Sequence, residues 1–89
     1  MKYTRTTLEK TQNIFKENGY TVRYEKGNFQ SGYALVENKK IVVINKFFDV
    51  EARINTLIEI MNQVELDFSL LSEKSVEFHK KVQKQVAAA

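Results

Sequence analysis

Residues 40–64, KIVVINKFFDVEARINTLIEIMNQV, decide the fold. Ile41 to Ile44 are four successive branched aliphatics, which suit a strand that is covered on both faces or central in its sheet. Asn45 and Lys46 make a polar corner, and Asp49 stands where a helix needs its N-cap. Beyond it Ile54, Leu57, Ile58, Met61 and Val64 share one helical face, widened by Ile60, while Glu51, Asn55, Glu59 and Asn62 fall opposite. The pattern predicts a buried strand feeding the principal core helix. Ile41, Val43, Ile44, Leu57, Ile58 and Met61 are expected to share one core.

Upstream, Thr6 and Glu9 have the spacing of a capping box, so a first helix is expected over about Thr7 to Asn18. It has few apolar residues, Leu8, Ile14 and Phe15, with Thr11 between them, and must lie on a larger surface. Gly19 ends it, because glycine takes the left-handed cap conformation readily and lets Tyr20 fold back towards Phe15. Tyr20, Val22 and Tyr24 then alternate with Thr21, Arg23 and Glu25, the two-residue period of a half-buried strand. Lys26-Gly27-Asn28 turns the chain into a second strand over about Ser31 to Glu37, in which Gly32 marks a bulge or a close backbone approach. Asn38-Lys39 is short enough for a hairpin loop into the strand at Ile41 to Asn45.

Downstream, Glu65 to Leu71 reads as a connection that keeps Phe68 and Leu70 for burial. Ser72 caps a third helix running to about Gln85, with Leu71, Ser75, Phe78 and Val82 on one face. Lys80, Lys81 and Lys84 gather near its C-terminal end, where cations suit the helix dipole, and residues 86–89 are expected to fray. The expected architecture is α+β: an N-terminal helix, a three-stranded antiparallel meander, a core helix and a C-terminal helix, with the helices on one face of the sheet.

The chain has 89 residues, enough for one small domain and one core, and no cysteine, so no disulfide framework or thiolate metal site can support it. The N-terminus lacks the apolar run of a signal peptide, and no stretch approaches the roughly 20 apolar residues of a membrane span; no membrane partner and a cytoplasmic location are expected. Fourteen Lys and Arg against eleven Asp and Glu leave +3, with the two signs mixed along most of the chain. That balance does not by itself imply nucleic acid.

Chemistry-bearing groups are sparse. His79 is the single histidine, without a second at metal-ligand spacing, and reads as a partly exposed neighbour of Phe78. The three glycines are scattered, so no phosphate-binding loop exists. Tyr20, Tyr24 and Tyr33 could form an aromatic platform of the kind that stacks bases, but rings packed beneath the helices are the plainer expectation.

The order helix, three strands, helix resembles that of double-stranded-RNA-binding domains. In those, a lysine cluster opens the helix after the third strand; here that helix opens Phe48-Asp49-Val50-Glu51, which is acidic. A closer resemblance is carried by Ile41-Val-Val-Ile-Asn45 and Glu51-Ala-Arg53-Ile-Asn-Thr-Leu-Ile58-Glu59-Ile-Met-Asn62, and more faintly by Gly19-Tyr-Thr-Val22 and Ser31-Gly-Tyr33. These resemble the core of the ImmA/IrrE-type, zincin-like metallopeptidases over about residues 8–64. Under that resemblance Arg53 falls on the family's arginine, Ile54 on its phenylalanine and Glu59 on its catalytic glutamate, but Ile58 and Asn62 fall where the two zinc-binding histidines belong. Without the metal Glu59 has no activated water to deprotonate, so the resemblance implies a scaffold that has lost its chemistry.

The expected function is that of a non-catalytic binding or regulatory module with no cofactor and no tight zinc site. Its partner is expected to be a protein, a second copy of the chain included, met by Arg53, Asn55, Glu59 and Asn62 or by an exposed strand edge. The alternative is a small nucleic-acid-binding domain using Arg23, Lys26, Lys39 and Lys40 at the strand ends. Nucleic acid is the less expected partner.

Overall fold

The computed structural model describes residues 2–27 and 33–88. In chain order the elements are α1 (Arg5–Glu17), β1 (Thr21–Glu25), β2 (Tyr33–Val36), a 3-10 turn (Glu37–Lys39), β3 (Ile41–Asn45), α2 (Val50–Met61), a second 3-10 turn (Phe68–Leu70) and α3 (Glu73–Ala88). The α+β class and the order of elements agree with the sequence reading. The expected bulge at Gly32 and the opening of β2 at Ser31 lie outside the described residues, as does Asn28 of the expected turn.

The sheet corrects the meander. Its order is β1-β3-β2, with β1 parallel and β2 antiparallel to β3. The strand richest in branched aliphatics takes the central place, where it is hydrogen-bonded on both sides, and β1 and β2 form the two edges. Two-residue periodicity fixes which side chains share a face but is silent about which strand is the neighbour.

Register builds the two faces. Val22, Val42 and Leu35 align across the sheet, as do Tyr24, Ile44 and Tyr33. Val42 and Ile44 are fully buried, and the other four pack against the same core. Ile14 and Phe15 of α1 and Ile54, Leu57 and Ile60 of α2 close that core from above. The opposite face carries Thr21, Arg23 and Glu25 beside Ile41, Val43 and Asn45, then Val36 and Ala34. Ile41 and Val43 are only half-buried and stand outside the core cluster. They were expected in the core; the helices cover one face of β3, so its alternate residues cannot reach it.

Caps and turns follow local chemistry. Thr4, not Thr6, caps α1: its hydroxyl accepts from Thr7 N–H at 3.2 Å, and the ladder already begins with Leu8 N–H to Thr4 O at 3.0 Å. Thr11 is buried without penalty because its hydroxyl donates to Thr7 O at 2.8 Å. Gly19 has φ 82°, Tyr20 N–H returns to Phe15 O at 2.9 Å, and the two rings meet edge-on with centroids 5.9 Å apart. Asp49 caps α2 through Ala52 N–H at 2.8 Å. Ser72 caps α3 through Ser75 N–H at 3.3 Å, and Ser75, Phe78 and Val82 turn inward.

Phe68 and Leu70 are 51% and 53% exposed, against the expectation of burial. Leu66 and Leu71, on either side of the second 3-10 turn, take the places against the core instead. No helix among the described residues is long and apolar enough to cross a membrane.

Candidate functional site

The residues expected to form a binding face on α2 divide into two roles. Arg53 is half-buried and turned towards the sheet: Nε donates to Phe48 O at 2.9 Å, a terminal nitrogen donates to Lys46 O at 2.8 Å, and the guanidinium lies 4.3 Å from the centroid of the Tyr24 ring. It fastens the corner between β3 and α2. Asn55 and Glu59 stand exposed on the outer side of α2. Asn62, the C-cap of α2, accepts from Gln83 Nε2 of α3 at 3.4 Å and so joins the two helices.

The four cations of the nucleic-acid alternative do not converge. Arg23 pairs with Glu25 at 2.7 Å on the open face of the sheet. Because β1 and β3 are parallel, Lys26 follows the end of the sheet that carries Asn45, while Lys39 and Lys40 precede the end that carries Ile41, roughly 16 Å away at strand rise. Lys40 is committed to structure: it holds φ 51°, and its ammonium donates to Asn18 O at 3.2 Å and lies 5.7 Å from the Tyr20 ring centroid. The tyrosines form no base-stacking platform, since Tyr24 donates to Gln12 beneath the helices and Tyr33 accepts from Gln63 at 2.7 Å.

A concave site lies elsewhere, between α1 and α3. The apolar stripe of α1 faces the sheet and α2, which leaves Lys10, Asn13 and Glu17, about one turn apart, on the flank beside α3. From α3, Lys74, Glu77 and Lys81 rise beside the Ser75, Phe78 and Val82 contact line. Two adjoining hollows of about 440 and 400 Å³ result, sharing Lys10, Phe78 and Lys81; the second is completed by Lys2, Thr7, Lys84 and Gln85.

The charge of this groove is distinctive. Of the fourteen Lys and Arg and eleven Asp and Glu in the chain, five lysines and two glutamates line it, leaving nine of each sign elsewhere. The whole net charge of +3 therefore resides in the groove, and the rest of the molecule is balanced. In the sequence the signs looked mixed, because these lysines come from opposite ends of the chain; among them only Lys81 and Lys84 stood out.

At one end Glu17 closes the groove. Its carboxylate accepts from Ser75 Oγ, and from Ser72 N–H at 3.2 Å, so α1 supplies a second cap to α3. The Ser75 hydroxyl, reinforced by Ser72, holds the Glu17 carboxyl below its ordinary pKa of 4.5 against the opposing effect of burial. The trio has the residue types of a nucleophile and its base, but a carboxylate with a lowered pKa is a weak proton acceptor, and among the described residues no further group orients it. His79 is apart from it, edge-on to Phe68 with ring centroids 4.9 Å apart, and burial lowers its pKa. Among the described residues no three His, Asp or Glu side chains converge as metal ligands would.

Comparison with protein-family models, with curated proteins and with solved structures finds nothing that matches this chain.

Proposed function

We propose that this protein is a non-catalytic binding module that works through protein contacts, with the open face of its sheet as the contact surface and a second copy of the chain as the partner. The observation that carries the reading is the apolar strip Val36, Ile41, Ala34 and Val43, aligned across β2 and β3 on the face that no helix among the described residues covers, with Val36 37% exposed. A central strand that keeps branched aliphatics on its uncovered side has apolar surface still to bury.

The charges beside the strip suit self-association. Arg23 and Glu25 lie two positions apart on β1, both half exposed, so two copies related by a two-fold axis can exchange the pair across the interface. The face is electrically neutral, and the net charge sits in the helical groove, so two copies can approach without strong repulsion. Three strands of this length offer a surface of roughly 14 by 17 Å, below the standard interface size, so the association is weak and transient.

The resemblance to the ImmA/IrrE core supports the non-catalytic part of the reading, since Ile58, buried in the core, and Asn62, a helix cap, occupy the positions of the zinc-binding histidines. The scattered placement of Arg23, Lys26, Lys39 and Lys40 lends no support to the nucleic-acid alternative.

Light scattering across a micromolar-to-millimolar series tests the proposal. Average mass should rise from 10.4 kDa towards twice that value, and Val43→Glu should hold the chain monomeric with an unchanged circular dichroism spectrum. A mass that stays monomeric at millimolar concentration would exclude the second copy as partner.

A further inference from the structure

The groove between α1 and α3 lies apart from the open face of the sheet, and its chemistry points to a different occupant. We propose that it is a docking site for an acidic polypeptide segment of another protein.

Charge is the first argument. Lys10 and Lys81 flank the part common to both hollows, Lys74 extends the positive lining in one direction and Lys2 and Lys84 in the other. Glu17 and Glu77 reduce this to a net +3, and the Glu17 carboxylate, held by Ser72 and Ser75 in capping α3, sits at one end of the groove. Like charges lining one groove repel one another, most strongly where neighbours come within a Debye length, ~8 Å at physiological ionic strength, and weaken the packing of α1 on α3. An anionic occupant relieves that repulsion, so its binding free energy adds to the stability of the folded chain.

The remaining lining separates a polypeptide from a nucleic acid. Glu77 stands among the lysines as an acceptor with no hydrogen bond or ion pair among the described residues, and Asn13 offers both a donor and an acceptor. A polypeptide brings carboxylates for the lysines and backbone N–H groups for Glu77, whereas a phosphodiester backbone brings acceptors alone and would meet Glu77 as a like charge. Among the described residues no arginine lines the groove, which leaves it without the planar fork that grips phosphate, and the one aromatic residue among them, Phe78, is 9% exposed and presents no ring face for a base to stack on. The lysine stems, with Phe78 at the base, give the groove apolar walls that suit aliphatic side chains between the acidic ones.

Fluorescence anisotropy with the full chain provides the test, using a labelled peptide of alternating Glu and Leu, its Lys-and-Leu counterpart, and a single-stranded oligonucleotide of similar length. The acidic peptide should bind, weaken as salt rises, and raise the melting temperature; the basic peptide should not bind. Lys10→Glu/Lys81→Glu should weaken binding by at least about tenfold, the effect of reversing two partly screened ion pairs. Lys26→Glu/Lys39→Glu changes net charge equally outside the groove and should leave binding within about twofold. Should the first pair disturb the fold, Lys10→Gln/Lys81→Gln removes the charge alone and should still reduce affinity. Equal losses in the groove and control pairs would show attraction to net charge and overturn the site. Tighter binding of the oligonucleotide than of the acidic peptide would overturn the polypeptide occupant, and no binding of the acidic peptide would overturn both. None of these outcomes bears on self-association through the sheet, which the light-scattering series decides separately.

Discussion

The side-chain amide of Asn18 pairs with the backbone of Asp67 in both directions: Asp67 N–H donates to Asn18 Oδ1 at 2.7 Å, and Asn18 Nδ2 donates to Asp67 O at 3.3 Å. Asn18 caps α1 and is 4% exposed, so this pair ties the end of the first helix to the connection that leads into α3. The amide is unusual among side chains in offering a donor and an acceptor side by side, which is what an isolated backbone segment needs when water is excluded.

Asn18→Ala should therefore destabilise the fold by about 1–3 kcal/mol, since two part-buried hydrogen bonds are lost and a buried side chain is truncated. Asn18→Asp keeps the acceptor but sets a carboxylate against the Asp67 carbonyl, and should be no better than alanine at neutral pH. Urea denaturation checks both. A loss below about 0.5 kcal/mol for Asn18→Ala would mean that the pair contributes little.

The two sides of β3 and α2 should respond differently to truncation. Leu57 is fully buried, and Leu57→Ala should cost about 2–5 kcal/mol. Val43 stands on the open face, and Val43→Ala should cost less than about 1 kcal/mol in the monomer. Equal losses at the two sites in chemical denaturation would contradict the one-sided cover of the sheet.

Arg53 and Tyr24 are coupled through charge as well as packing. Burial raises the Tyr24 pKa above its ordinary 10.0, and the Arg53 cation lowers it in opposition. Arg53→Gln should thus move Tyr24 ionisation to still higher pH, followed by the ring resonances in an NMR titration. Arg53→Lys should also lose about 1–3 kcal/mol of stability, because an ammonium cannot reach Phe48 O and Lys46 O together while stacking on the ring. A Tyr24 pKa that falls in Arg53→Gln would refute the coupling.

Acid should loosen α1 from α3. Glu17 has a lowered folded pKa, so its contribution is fully present above the ordinary carboxyl value of 4.5 and is lost as pH falls through the folded value. Wild-type stability should accordingly drop more between neutral pH and about pH 3 than that of Glu17→Gln, whose amide does not titrate. Parallel acid limbs in denaturation experiments would show that the cap is not held by the charged form.

The sequence by itself determined the elements, because each is written in the nearest neighbours of its own residues. The run Ile41 to Asn45, the Asp49 cap and the Ile54, Leu57, Ile58, Met61 stripe are local signals, and the structure has β3 and α2 where they stand. Gly19 and Tyr20 were legible for the same reason, since a helix stop is a matter of a few residues' backbone freedom. Only the tertiary structure decided what lies beside what. Whether β1 pairs with β2 or with β3, and hence whether the sheet is a meander, is decided by contacts between segments far apart in the sequence, against the local turn signal at Lys26-Gly27. The open side of Val43 depends on how many helices the chain can lay on its sheet. Arg53 read as a surface group because its partners are carbonyls, which every residue carries and no composition reveals. The groove was least legible of all: Lys2 and Lys10 at one end of the chain and Lys74, Lys81 and Lys84 at the other become one positive surface only when α3 packs on α1. Charge acts through space, and distance in space is what the order of residues does not record.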